Sequence, residues 1–246
     1  MKSFLKHLLI QFKIDFRERG TLMNYYVVPL VFYLVMGSVV SSINPLAKQT
    51  LAATMVIFSV TMGAVLGIPT PIVKMRESGV LRAYRVCGIP GWAVILVQSV
   101  SAFFHLLFVS ILIFLTTSLF FGTSYPQNIP AYFVTLFILL FASIAIGTFI
   151  GVTARSQSIA TMLSQAIFLP TVMLSGIMFP ASMLPVFLRT IGRFLPATYI
   201  MQSFSGLAYK LTTYINPEFS LLMATCIGIL ATCLAVLKFI TMQKDF

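Results

Sequence analysis

Apolar residues run along this chain in long blocks, broken by short clusters of charge. No Asp, Glu, Lys or Arg occurs between Arg19 and Lys48, Lys48 and Lys74, Arg85 and Arg155, Arg155 and Arg189, or Glu218 and Lys238. Charge is costly at the centre of a bilayer, so these gaps mark crossings. One helical crossing needs about 20 residues, and the third gap is far longer. The polar turn Gly122-Thr-Ser-Tyr-Pro-Gln-Asn-Ile-Pro130 divides it in two. The pattern predicts six spans, at 22–43, 51–73, 92–121, 131–153, 159–178 and 219–238. None alternates strictly, and only helices or closed barrels satisfy backbone groups in lipid. The predicted fold is a single all-α integral membrane domain over residues 1–246.

Composition points the same way. Hydrophobic residues make up 59% of the chain and charged ones only 9%, against about 25% in a soluble domain, so most of the surface must face lipid. The net charge of +11 would suggest nucleic acid in a soluble protein, but no nucleic-acid motif accompanies it. The basic residues instead sort by side. Lys2, Lys6, Lys13, Arg17, Arg19, Lys74, Arg76, Arg82, Arg85, Arg155, Lys238 and Lys244 share the side of both termini, and only Lys48, Arg189, Arg193 and Lys210 lie opposite. That bias puts both termini in the cytoplasm.

Three segments do not span. In residues 1–21, Leu5, Leu8, Leu9, Phe12 and Phe16 recur at helical spacing, with Lys2, Lys6, Lys13 and Arg17 mainly off that face. This predicts an amphipathic helix in the cytoplasmic interface. The segment lacks the continuous apolar core of a cleaved signal peptide. In the cytoplasmic loop 74–90, Val80, Leu81, Tyr84, Arg82 and Arg85 suit a short amphipathic helix that Gly88 and Pro90 end. In the outer segment 179–217, Phe179 and Pro180 open a stretch that Pro185 and Pro196 divide into runs too short to span. It predicts short re-entrant helices, which survive at membrane depth only under protein or water.

Catalytic chemistry is missing from the pattern. The five acidic residues all lie outside the spans, and His7 and His105 are far apart in sequence. There is no HExxH, GxSxG or paired-carboxylate motif, and no lysine follows a glycine as a Walker A motif requires. Ion coupling needs ionisable groups in the spans, and His105 is the sole candidate, read here as a packed or pore-lining histidine. Energy therefore comes from elsewhere, or the protein is passive. Cys87, Cys226 and Cys233 show no metal spacing, and Cys226 and Cys233 read as buried small apolar residues. No catalytic or metal site and no cofactor is expected in this chain.

Two polar stripes do stand out. Gln98, Ser101 and His105 share a face of span three, and Thr161, Ser164, Gln165, Thr171 and Ser175 fall on one side of span five, which Pro170 should bend. Such stripes serve interhelical hydrogen bonding or a substrate path. The length and kink of the second favour a path. Gly63–Gly67 and Gly147–Gly151 are GxxxG sequences that allow close helix approach, more simply within one chain than between chains.

Two local signatures carry a family likeness. One is Arg76-Glu77-Ser-Gly79-Val-Leu81 through Gly88-Ile-Pro90. The other is Leu174-Ser-Gly-Ile-Met-Phe-Pro180, then Met183-Leu-Pro185 and Leu195-Pro196-Ala-Thr-Tyr199. With the six-span layout they resemble the type-2 ABC exporter permeases, which include bacterial drug, lipid, polysaccharide and peptide exporters. The resemblance implies an N-terminal elbow helix, outer re-entrant helices, and a coupling helix formed by Glu77, Leu81, Arg82, Tyr84 and Arg85 that docks on an ATPase. Glu77, the one acid of that loop, would pair with a basic group there or cap the helix, and docking is the reading favoured. The resemblance implies two permease chains, identical or related, paired with two separately encoded ATPase subunits that carry ATP and Mg. Spans one, two and five would line the route, with membrane lipid around them. The setting would be the plasma (inner) membrane of a prokaryote, and the cargo an amphipathic drug, antimicrobial peptide or lipid-like molecule. The alternative readings are a passive channel or secondary carrier working alone, and a membrane immunity or sensor protein.

Overall fold

The computed structural model describes residues 2–43, 48–178 and 183–243. Phe179, Pro180 and Lys244 lie outside the described residues. The described chain is helical and contains no strand: α1 (Lys2–Arg17), α2 (Arg19–Ser42), α3 (Leu51–Glu77), α4 (Val80–Val86), α5 (Gly91–Phe121), α6 (Ile129–Thr153), α7 (Gln157–Leu174), α8 (Val186–Gly192), α9 (Pro196–Ser203) and α10 (Pro217–Gln243). Six of these, α2, α3, α5, α6, α7 and α10, are long and apolar enough to cross a membrane. They coincide with the six predicted spans within a few residues, apart from two ends. The second span runs on through Glu77. The fifth stops at Leu174 rather than 178, because the chain turns at Gly176, whose φ of 86° suits glycine.

Local chemistry sets the ends. Asn128 caps α6 by accepting from the Ala131 N–H at 3.1 Å, with Pro130 in the first turn. Ser156 caps α7 through the Ile159 N–H at 3.3 Å. Gly122, with φ 57°, ends α5.

The bundle is built around α3, which is buried almost throughout. Lipid tails are as apolar as leucine, so helices associate in a bilayer by close packing and hydrogen bonds. Glycine makes that packing possible here. A Cβ on Gly147 would collide with the Ala64 carbonyl, and one on Gly151 would press on Pro69 and Ile72, so the α6 GxxxG sequence lies directly on α3. The α3 sequence Gly63–Gly67 forms a π-helical turn and faces another, Met23–Val27 in α2. Fully buried Tyr25 fills the space left beside Gly63 and Gly67. Both glycine pairs thus act within one chain.

One sequence expectation needs correction. Cys226 and Cys233 are exposed, as is Cys87. They lie on the outward face of α10, where lipid takes the place of a protein interior. On α1, Leu9, Ile10 and Ile14 point outward, as suits an interfacial helix, while Gln11 and Asp15 are buried.

Candidate functional site

The loop after α3 is built from three backbone breaks. Gly79, at φ 73°, reverses the chain after α3, a conformation that costs a side-chain-bearing residue. Gly88, at φ 78°, does the same after α4, and extended Pro90 leads into α5. Between them α4 has no buried residue. Leu81 and Tyr84 are half-buried, and Arg82, Arg85 and Val86 are exposed. Tyr84 rests on His7 of α1, with ring centroids 5.3 Å apart.

The base of this exposed helix is held on three sides. The Arg76 guanidinium donates to the Val152 carbonyl at 3.2 Å and to the Ala154 carbonyl. These groups close α6, where carbonyls lack intrahelical donors and carry partial negative charge. Glu77 accepts from the Gln157 amide at 2.7 Å, tying the loop to the first residue of α7. Lys74 pairs with Glu18 at 2.9 Å, tying it to the α1–α2 junction. The acid expected to meet a partner therefore has an internal partner already.

The span-three stripe lies on the inner side of α1. Asp15 accepts from Gln11 at 2.8 Å and from the Ser101 hydroxyl at 2.5 Å. Its Oδ2 lies 3.6 Å from His105 Nε2. The other ring nitrogen, Nδ1, lies 2.5 Å from the Tyr26 hydroxyl, with the donor set by the histidine tautomer. Phe12 and Phe16 pack on the same ring at 4.5 and 5.1 Å. Gln98, Ser101 and His105 are all fully buried. In one chain they face α1 and the start of α2 rather than an open route. Sequence reasoning missed Asp15 and Tyr26 as members of this cluster. The available signal was an acid placed one helical turn after Gln11 in an otherwise apolar and basic helix.

The span-five stripe divides. Ser164, Thr171 and Ser175 are buried, whereas Thr161 and Gln165 are exposed. Thr171 bonds the Ile167 carbonyl at 2.7 Å beside Pro170. The Ser175 and Thr198 hydroxyls lie 3.1 Å apart, fastening the end of α7 to α9. The same Thr198 hydroxyl reaches the Gly192 carbonyl at 2.6 Å and fixes α8. Pro185 precedes α8 and Pro196 opens α9, so each marks a helix start as fixed φ favours. In the loop beyond, burial raises the Tyr209 and Tyr214 hydroxyls above their ordinary range, with Arg193 and Arg189 offsetting part of the rise at Tyr214. Among the described residues no cluster of His, Cys, Asp or Glu could hold a metal ion.

Residues 8–209, from α1 through α9, match the description of the ABC-2 type transporters. The chain belongs to that family. It is similar to the inner membrane transport permease YhhJ of Escherichia coli (strain K12), at 27% identity over 187 residues. It is equally similar to the protein of the same name from Shigella flexneri. The match covers 75% of this chain and 50% of each relative, so the chain spans about half the length of the curated relatives it matches. The α3–α4–α5 loop and the short helices α8 and α9 lie inside the matched region.

Proposed function

We propose that this permease is the transmembrane subunit of an ATP-driven exporter, lodged in the inner membrane of a prokaryote with both termini in the cytoplasm. One observation carries the reading: α4 has no buried residue, yet its base is clamped to α6, α7 and the α1–α2 junction. A helix that only connected two spans would need no such anchoring. A helix pushed by a partner needs all of it, because force applied at Arg82, Arg85 and Val86 must reach the spans. The partner is an ABC ATPase dimer, which holds the ATP and Mg. A second permease chain, identical or related, completes the pore.

Within this reading the α5 stripe anchors α1, and the route runs along the exposed face of α7 at Thr161 and Gln165. Exposed polar groups at membrane depth are costly against lipid and suit a route for an amphipathic cargo. The short helices α8 and α9 would dip into the outer leaflet and close that route.

The test is ATP hydrolysis by the lipid-reconstituted complex, with Arg82→Ala plus Arg85→Ala as the variant. Both side chains are exposed and Glu77 is left in place, so folding is preserved. Loss of the ATPase subunit, or hydrolysis no longer linked to transport, supports the reading. Failure to recover any ATP-hydrolysing partner under mild extraction overturns it in favour of passive flux.

A further inference from the structure

A cavity of about 600 Å³ opens on the side of the bundle formed by α5, α6 and α10. Its lining is apolar, from Trp92, Ile95 and Phe103 on α5 to Phe141 and Ala145 on α6 and Ala235 on α10. Of its three hydroxyls, Ser99 and Thr148 satisfy each other at 3.1 Å, and Thr232 donates to the Gly228 carbonyl at 2.9 Å. None of the lining residues comes from α2, α3 or α7, so the cavity is separate from the route proposed above.

Its dimensions identify the occupant. On α5 the lining runs from Trp92 to Phe103, a rise of about 16 Å at 1.5 Å per residue. One leaflet of hydrocarbon is about 15 Å deep, half of the roughly 30 Å core. The depth is right as well. The lining uses the first part of α5 and the last parts of α6 and α10, which all lie on the side of the two termini. Near mid-membrane the cavity ends where α6 and α10 touch: a Cβ on Gly228 would sit 2.8 Å from the Phe141 ring and 3.1 Å from the Ala142 backbone. Phe103 stacks on Phe137 at 6.1 Å at the same level. At the other end stands Trp92, an exposed aromatic at the interface where such rings settle. We propose that this cavity is a binding site for one acyl chain of a phospholipid from the leaflet next to the termini. The chain enters beside Trp92, its headgroup stays at the interface, and its end abuts Phe103 and Phe141. A water-filled vestibule would need polar groups free to face it, and the lining offers none.

Trp92 is the chain's single tryptophan and supplies the readout. The full chain is reconstituted in nanodiscs of phosphatidylcholine and phosphatidylglycerol containing a phospholipid with a photoreactive diazirine near the end of one acyl chain. Cross-linked residues are mapped by mass spectrometry. Cross-links concentrated on Phe103, Phe141 and Ala145, and lost in Ala145→Phe while Trp92 emission stays that of folded protein, support the site. A second variant, Ala235→Leu, covers the case in which Ala145→Phe fails to fold. Cross-links spread evenly over outward residues such as Phe108 and Val134, or unchanged in a folded variant, overturn it. So would chain-to-chain cross-links from Thr148→Cys, since a second copy would then occupy the cavity. None of these outcomes depends on an ATPase partner.

Discussion

Ser101 on α5 donates its hydroxyl to the Asp15 carboxylate on α1 across 2.5 Å, with both side chains shut away from solvent. An interfacial helix is normally held by its apolar side in the headgroup region. Here a buried acid also holds it to the transmembrane bundle, and its apolar residues Leu9 and Ile10 are left to meet lipid.

Removing that acid should release α1. Asp15→Ala leaves the Ser101 hydroxyl buried without its acceptor, and each buried polar group left unpaired costs about 1–3 kcal/mol. Cleavage by trypsin after Arg17 and Arg19 should accelerate clearly in Asp15→Ala. It should change less in Asp15→Asn, which keeps an acceptor oxygen. Cleavage at the wild-type rate in Asp15→Ala would mean that lipid contacts alone hold α1.

How much of this was legible depended on the kind of signal. The spans were legible because charge is excluded from lipid, so gaps such as Arg19 to Lys48 report the bilayer directly. The short helix α4 was legible from Gly79, Gly88 and Pro90, whose backbone preferences are intrinsic. The inward face of α1 was not, since an apolar stripe at helical spacing looks the same whether protein or lipid covers it. The fate of the polar stripes was also hidden. Ser101 and Gln165 are both hydrogen-bonding residues on apolar helices, and only the position of a third helix decides that one is enclosed and the other exposed. The thiols of Cys226 and Cys233 were misread for the same reason.

The approach of α6 to α3 sets a contrast between glycines. Gly147→Ala drives a methyl into the Ala64 carbonyl, which belongs to the backbone of a buried helix and has little room to move. Overpacking of this kind costs about 1–3 kcal/mol. At Gly20 nothing lies within 4 Å of an added Cβ, so Gly20→Ala should be neutral or stabilising by up to about 1 kcal/mol, as expected for glycine in a helix. Thermal unfolding in detergent should lower the transition for Gly147→Ala and leave it level or raised for Gly20→Ala. Equal transitions would mean that the helices separate without loss at that contact.

The three cysteines can report the orientation of the chain. Cys87 follows α4 and is exposed in the loop, while Cys226 and Cys233 sit on the outward face of a span. The thiolate is the reacting form, and apolar surroundings suppress it. A membrane-impermeant maleimide should therefore label Cys87 rapidly in inverted vesicles, leave it untouched in intact cells, and react slowly with the other two in both. Bound ATPase should slow labelling of Cys87. Rapid labelling of Cys87 in intact cells would reverse the orientation drawn from the basic residues.

The exposed amide of Gln165 separates a transport route from a lipid-facing surface. An amide moved from water into hydrocarbon without a partner costs roughly 2–7 kcal/mol. Gln165 lies one turn beyond Thr161 on α7, and both are exposed. If that face borders water between two permease chains, the cost is not incurred and the side chains stay hydrated. Phe108 on α5 is exposed as well, at 59% of its surface, but is itself apolar. In a background lacking the native cysteines, Gln165→Cys should react with a water-soluble maleimide much faster than Phe108→Cys, because thiolate forms readily only where water reaches it. The fast reaction should slow when the complex is locked by a non-hydrolysable ATP analogue, as the route changes its access. Matching slow rates at the two positions would put α7 against lipid and remove the route from this face of the permease.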